Sequence, residues 1–221
     1  TDHPALVRAA QWMLDLEVRR KGDWQVKCPE LEPGGWAFEF LNDWYPDVDD
    51  SGFVMLSIKN IRVRDKKHRE QAIKRGIAWC LGMQSENGGW GAFDKDNTKH
   101  LLNKIPFADL EALIDPPTAD LTGRMLELMG NFDYPKSHPA AERALAFLKK
   151  EQEPEGPWWG RWGVNYLYGT WSVLCGLEAI GEDMGQPYIR KAVNWIKSRQ
   201  NNDGGWGEVC ESYFDRSLMG S

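Results

Sequence analysis

An excess of positive charge is missing from this 221-residue chain: 27 Lys and Arg stand against 33 Asp and Glu, a net charge of -6 at pH 7. A nucleic-acid partner therefore has no electrostatic support. The one basic cluster, Arg62 to Arg75, is broken by Asp65 and Glu70 and reads as a solvated helix face. Histidine is scarce as well. His3, His68, His100 and His138 lie far apart, so no zinc-ligand spacing exists. Cys28, Cys80, Cys175 and Cys210 form no CxxC pair and close no short loop, which fits free thiols in a reducing compartment. Asp94-Lys95-Asp96-Asn97 opens like a calcium loop, but Lys99 stands where glycine is needed and Ile105 where the closing Glu belongs. The glycine-rich turns run into Trp rather than Gly-Lys-Ser/Thr, so they are not phosphate loops. No metal, nucleotide or other cofactor is expected. No stretch reaches the roughly 18 apolar residues of a membrane-spanning helix and no signal-peptide pattern is visible, which leaves attachment to a membrane surface open.

What the chain has instead is 12 Trp and 22 Gly. Trp is large and carries an N–H donor that needs a partner when buried, so this many require a recurring structural role. Aligning on Gly-x-Trp finds it. Arg75-Gly76-Ile77-Ala78-Trp79 leads through Gln84 to Gly88-Gly89-Trp90. Arg143-Ala144-Leu145-Ala146-Phe147 leads to Gln152 and Gly156-Pro157-Trp158, and Lys191-Ala192-Val193-Asn194-Trp195 to Gln200 and Gly204-Gly205-Trp206. A worn copy, Arg8-Ala9-Ala10-Gln11-Trp12, has Glu17 in the Gln position and Gly22-Asp23-Trp24 one residue late. The spacing predicts a helix over 75–84 that is ended by Asn87-Gly88-Gly89, with glycine supplying the positive φ of a helix terminus. Gln would then hold the ends of the next helix while Trp packs across the turn. Intervening helices at 51–62, 118–130 and 165–180 make a helix pair per repeat: an all-α solenoid or closed α/α barrel.

The other concentration is chemical. Gly34-Gly35-Trp36-Ala37-Phe38-Glu39-Phe40 runs through Trp44 and Tyr45 into Pro46-Asp47-Val48-Asp49-Asp50-Ser51-Gly52. Three carboxylates crowded behind aromatic rings point to a dry pocket in which one keeps its proton near neutral pH. A protonated carboxylic acid facing an aromatic cavity is suited to protonating an apolar group. The plainer reading is that Asp47 or Asp50 caps the apolar helix that starts near Ser51.

The repeats resemble the QW motifs of the squalene and oxidosqualene cyclases, and Asp47-Val48-Asp49-Asp50 resembles that family's DxDD acid motif in the form of the squalene–hopene cyclases. The similarity extends through Met83 to Asp94, Asp115-Pro116-Pro117 and Gly160 to Thr170 and covers the whole chain, which is a minority of a family chain. The resemblance implies an α/α barrel (toroid) of QW helix pairs, incomplete here, with residues 1–221 forming part of the catalytic barrel domain. The chain opens at Thr1 in mid-pattern and closes at Gly220-Ser221 without a final helix, which reads as a piece of a longer enzyme. Asp49 is then the acid that protonates a terminal alkene, with Asp47 and Asp50 as ionised helpers. Arg124 stands where the best-known pattern has a histidine, and it biases the carboxylates by charge alone, because Arg does not release its proton. Phe38 and Trp162 match cavity positions that stabilise carbocations through their ring faces. Phe93 stands where a tyrosine is often found. Asp120 matches an acidic site around the catalytic aspartate, Tyr168 a hydroxyl near the acid, and Phe107 and Ala108 the narrow part of the substrate channel. Arg124 reads equally well as an ion-pair partner of Asp120, four residues earlier on one helix face.

The activity so implied is class II terpene cyclisation: protonation of squalene and polycyclisation to hopene or hopanol, an isomerase or lyase reaction of hopanoid biosynthesis. The partners implied are squalene and, through the complete enzyme, a membrane surface, with room for a homodimer. The location implied is the cytoplasmic side of a bacterial membrane, as a monotopic protein. The alternatives are a class II diterpene cyclase, against which the dense QW repeats argue, and a non-catalytic α/α repeat that binds a hydrophobic partner. An α/α-barrel glycosidase would need a second carboxylate across a polar cleft, and the surroundings of Asp49 are too apolar for one.

Overall fold

The computed structural model describes residues 3–39, 41–105 and 113–221. Phe40 and the two channel candidates Phe107 and Ala108 lie outside the described residues. Seven α-helices and one two-stranded ribbon occur among those described, so the chain is all-α as its repeats predict. It divides into two compact units, one of residues 1–85 and 90–117 and the other of 86–89 and 118–221.

The first unit holds α1 (Pro4–Asp15), α2 (Val48–Ile58) and α3 (Lys66–Gly82). Helix α3 begins well before the predicted Arg75 because Asp65 caps it, its carboxylate accepting the His68 N–H at 2.9 Å. The basic cluster from Lys66 to Arg75 is part of this helix, with Arg62 and Arg64 ahead of it, and Lys66 and Glu70 are paired at 3.5 Å across one turn. Helix α2 starts at Val48, three residues ahead of expectation, so the aspartates lie within its first turn. A short ribbon that the sequence pattern does not announce precedes it: β1 (Trp36–Ala37) pairs antiparallel with β2 (Pro46–Asp47), Trp36 opposite Asp47. Gly76 lets α3 approach closely, since a Cβ there would lie 2.7 Å from the Met55 sulfur on α2.

The second unit contains α4 (Ala119–Asn131), α5 (Pro139–Glu151), α6 (Asn165–Ala179) and α7 (Pro187–Ser198). Its main contact joins α4 to α6. A Cβ on Gly123 would meet the Ser172 carbonyl at 2.7 Å, one on Gly130 would strike the Ala179 carbonyl, and one on Gly176 the Gly123 carbonyl. Both residue numbers rise together along this seam, so α4 and α6 run parallel, with α5 between them in sequence. Like-directed helices separated by one intervening helix are the signature of an α/α repeat.

The tryptophans of the repeats have one shared job. The indole N–H of Trp90 donates to the Cys80 carbonyl at 2.7 Å, that of Trp158 to Leu148 at 2.7 Å, and that of Trp206 to Ile196 at 2.8 Å. Each acceptor lies ten residues earlier, in the last turns of α3, α5 and α7, where the regular helical bonds run out; Cys80 and Ile196 also accept the short-turn N–H groups of Met83 at 3.2 Å and Arg199 at 3.0 Å. Gln152 donates to the carbonyls of Gly156 at 2.7 Å and Tyr188 at 2.9 Å, tying its own turn to the start of α7. The glycines act later than predicted. Helix α3 has already ended at Gly82, and Gly88, Gly156 and Gly204 take positive φ (96°, 118° and 89°) in the turn beyond the helix. The worn copy deviates in the same parts. Trp36 donates its indole N–H to the Met13 carbonyl at 2.6 Å, while the buried Trp24 indole nitrogen has no hydrogen-bond partner. Glu17 makes a bidentate pair with Arg75, at 2.7 and 2.6 Å.

Two outcomes follow from these contacts. Trp90→Phe removes the buried indole donor and leaves the Cys80 carbonyl with the Met83 N–H at 3.2 Å, a loss of about 0.5–1.5 kcal/mol, visible as a fall in thermal midpoint with little change in the far-UV helical signal. Gly123→Ala overpacks the α4–α6 seam against backbone that has no room to yield and costs about 1–3 kcal/mol, measured by denaturant unfolding.

Candidate active site

In the first unit the acid motif is built by the ribbon and the start of α2. Pairing with Trp36 fixes Asp47 at the N-cap, where its Oδ1 accepts the Asp50 N–H at 2.7 Å. Asp49 and Asp50 follow in the first helical turn, where the helix dipole favours negative charge. The capping reading and the crowded-acid reading therefore hold together, on different residues. Asp47 is only 5% exposed, whereas Asp49 and Asp50 are half-buried. Burial pushes the Asp47 carboxyl well above its ordinary range. The charges of Asp50, Asp49 and Asp115 add to the rise, and the Asp50 N–H opposes it. Burial also raises Asp50. Desolvation thus works against the ionised form expected of Asp47 and Asp50, most of all at the one that caps the helix.

The aromatic residues stand more open than a dry pocket requires. Phe38 is 69% exposed, and Trp44 and Tyr45 are about half exposed. Phe38 and Phe93 do come together, lining a cavity of about 220 Å³ with Glu39, Asn42 and Tyr45. Among the described lining residues the carboxylate is Glu39, and none of the motif aspartates takes part. The loop carrying Phe93 is held from two sides. The Ala92 carbonyl accepts the Val48 N–H at 2.8 Å, and the buried Asp115 carboxylate accepts the N–H groups of Phe93 and Asp94 at 2.6 and 2.9 Å.

In the second unit Asp120, Arg124, Trp162 and Tyr168 gather around the start of α4 and α6. Asp120 is fully buried; its Oδ2 accepts the backbone N–H groups of Arg161 and Trp162, each at 3.0 Å. Burial raises this carboxyl too, against the opposing pull of its hydrogen bonds. The loop lies over the Tyr168 ring, for a Cβ on Gly163 would sit 2.6 Å from that ring. Tyr213, its hydroxyl pushed up to about 12 by burial, donates to the Gly163 carbonyl at 2.6 Å. Trp162 itself is 48% exposed, with the Arg161 guanidinium over its ring at 5.5 Å. Arg124 is buried, donates to Glu127 at 2.6 Å and lies over the Trp171 ring at 5.3 Å. Its carboxylate partner here is Glu127, one turn beyond it, whereas the sequence spacing offers Asp120, whose Oδ2 is bonded to the Arg161 and Trp162 N–H groups.

Sequence reasoning passed over Asp115, Tyr213 and Glu127. Asp115 carried a readable signal, an acid before Pro116-Pro117, where proline stiffens the chain. The other two had none, since their roles depend on contacts distant in sequence or on which face of α4 is buried. Among the described residues no group of three or more His, Cys, Asp or Glu lies where it could hold a metal ion.

This arrangement of helices is the fold of the type II terpene cyclases. A type II terpene cyclase from Scytonema superposes with a TM-score of 0.60 over 95% of this chain and 51% of that one, at 18% identity. The ent-copalyl diphosphate synthase from Streptomyces platensis gives 0.51 over 73% of this chain and 27% of that one, also at 18% identity. Sequence then narrows the class: residues 1–221 match the squalene-hopene cyclase C-terminal domain, and the chain belongs to that family. It is 50% identical to the squalene–hopene cyclase of Alicyclobacillus acidocaldarius, covering 99% of this chain and 35% of that one. It is 46% identical to the squalene–hopene cyclase of Bradyrhizobium diazoefficiens, covering 95% and 32%. The dammaradiene synthase of Dryopteris crassirhizoma is 41% identical, over 99% and 35%. The chain thus spans about a third of the length of the curated relatives it matches.

The raised carboxyls have a thermodynamic consequence with a definite sign. A folded state that binds a proton more tightly than the unfolded chain loses stability as pH rises from the ordinary carboxylate range through the raised folded value, and levels off above it. Asp47→Asn keeps a good N-cap without an ionisable group. Thermal unfolding followed from pH 4 upward should therefore show a falling stability in the parent chain and a shallower fall in Asp47→Asn, with the variant more stable at the alkaline end.

Proposed function

We propose that this chain is the acid-bearing portion of a class II terpene cyclase that protonates a squalene-like polyene and directs its cyclisation to hopene or hopanol. The observation that carries this reading is Asp47-Val48-Asp49-Asp50 at the first turn of a capped helix, inside a chain of the squalene–hopene cyclase family. An isolated alkene is an extremely weak base, so its protonation needs an acid shielded from water, and dryness also keeps the cation from being quenched early. Asp49 donates the proton. Asp47, the buried N-cap of the same helix, fixes the helix start, and its burial makes a second full charge beside Asp49 costly. Phe38 and Phe93 offer ring faces, which stabilise a passing cation without trapping it as an ester or removing its proton. Residues 1–221 are, in this reading, part of the catalytic barrel domain.

The same proposal gives the complete protein a monotopic seat on the cytoplasmic side of a bacterial membrane, from which a hydrocarbon substrate is drawn, and assembly as a homodimer. The membrane seat is supported by Leu101, Leu102 and Ile105, apolar side chains exposed to solvent beside one another in the first unit. No described helix is long and apolar enough to cross a membrane.

The test uses a protein of the relatives' length that carries this chain, assayed on squalene with products separated by gas chromatography. Asp49→Asn should lower turnover by at least about 10²–10⁴-fold, the range for a lost general acid, while the melting curve stays that of a folded protein. Retained cyclisation would refute the acid assignment, and unimpaired squalene binding without any product from the parent would favour a binding module instead.

A further inference from the structure

Phe93 is held from behind by Asp115. Three hydrogen bonds fix the loop from Gly91 to Asp94: the Asp115 Oδ2 accepts the Phe93 N–H at 2.6 Å and the Asp94 N–H at 2.9 Å, and the Ala92 carbonyl accepts the Val48 N–H at 2.8 Å. Val48 is the first residue of α2 and lies between Asp47 and Asp49, so the loop is clamped between Asp115 and the acid motif itself. Gly91 makes room for the clamp, since a Cβ there would lie 2.7 Å from the Asp115 Oδ2. The other carboxylate oxygen of Asp115 is buried without a hydrogen-bond partner. The N–H groups of Phe93 and Asp94, and that of Ala92 beside them, are what stabilise this buried carboxylate against its desolvation, so the acid and the loop depend on each other.

The second unit repeats the device. Asp120, also buried, accepts the backbone N–H groups of Arg161 and Trp162, each at 3.0 Å. In both units a buried aspartate grips the main chain of a loop that follows a repeat tryptophan, Trp90 or Trp158, and in both the gripped segment carries an aromatic candidate for the cavity. Main-chain bonds of this kind fix where the ring sits without touching its face.

We propose that Asp115 is a positioning residue of the cyclisation: by fixing the backbone of Phe93 against the start of α2, it sets where that ring meets the growing cation and so how far cyclisation proceeds before a proton is lost. This rests on the cyclase reading above. An aromatic face displaced from the cation withdraws one cation–π contact, and the cation at that stage sheds a proton from the neighbouring carbon to give a partially cyclised alkene.

The experiment measures the ratio of partially cyclised to fully cyclised alkenes made from squalene, again in a protein of the relatives' length that carries this chain. Phe93→Ala should raise the ratio by about tenfold, the size of one such contact. Asp115→Ala should raise it comparably, and the double substitution no further than either alone, since both act through one ring. Asp115→Asn keeps an oxygen able to accept both N–H bonds and should restore the parental ratio. Gly91→Ala, whose Cβ would meet both the Asp115 carbonyl at 2.6 Å and its Oδ2 at 2.7 Å, pushes Asp115 away from the loop while removing no polar group; it should reproduce the shift and serves as a second variant if Asp115→Ala fails to fold. A purely structural role would lower the melting temperature and the total product but leave the ratio unchanged. The inference is overturned if Phe93→Ala moves the ratio and neither Asp115→Ala nor Gly91→Ala does, or if Asp115→Asn moves it as far as Asp115→Ala. Loss of the cyclase reading is seen separately, as Asp49→Asn retaining activity.

Discussion

A tryptophan N–H that reaches back ten residues to a helix carbonyl is the contact on which the rest of this chain depends. It closes each repeat by adding a donor to a carbonyl in the last turn of the preceding helix, where the regular helical bonds run out, and it does so with the largest side chain available, filling the turn as it bonds. The aromatic candidates for the cavity follow a tryptophan whose indole bonds a carbonyl in or near the preceding helix, ten residues back for Trp90 and Trp158 and 23 for Trp36. Phe38 follows Trp36, Phe93 follows Trp90, and Trp162 follows Trp158 by a few residues. Rigid turns make poor places for chemistry but good places from which to suspend it.

Much of this was legible because the repeats state it several times. The intervening helices fall at 48–58, 119–131 and 165–179, close to where the apolar runs put them. Boundaries were less legible for a physical reason. Asp65 was readable as a cap only once a helix was known to follow it, and the turn glycines look alike whether they end a helix or bend the chain five residues later. The ribbon of Trp36–Ala37 with Pro46–Asp47 was invisible, two residues a side being too short for any periodicity to register.

The acid motif shows a similar division. Its position at a helix start was readable, but not which aspartate is deepest. That depends on the ribbon, which turns Asp47 inward beside Trp36 and leaves Asp49 and Asp50 half-buried in the first turn. Arg124 shows the same limit. Spacing offered Asp120 as its partner on the same face, and the structure gives it Glu127 and the Trp171 ring. Long side chains choose among neighbours by packing, which one-dimensional spacing does not record.

The parallel run of α4 and α6 also shapes an electric field. Each helix presents roughly half a positive elementary charge at its N-terminus, and parallel neighbours bring both to the same end rather than cancelling them. A cation near that end would be repelled by a doubled field. Two carboxyls stand there: Asp120 in the first turn of α4, and Glu208, whose oxygen accepts the Asn165 and Leu167 N–H groups at 3.1 and 2.8 Å as α6 begins. The burial that raises Asp120 makes its share of this compensation depend on its proton. How hospitable the mouth of the helix pair is to positive charge is thus a matter of these two carboxyls, which offset in place a field that the helices cannot cancel between themselves.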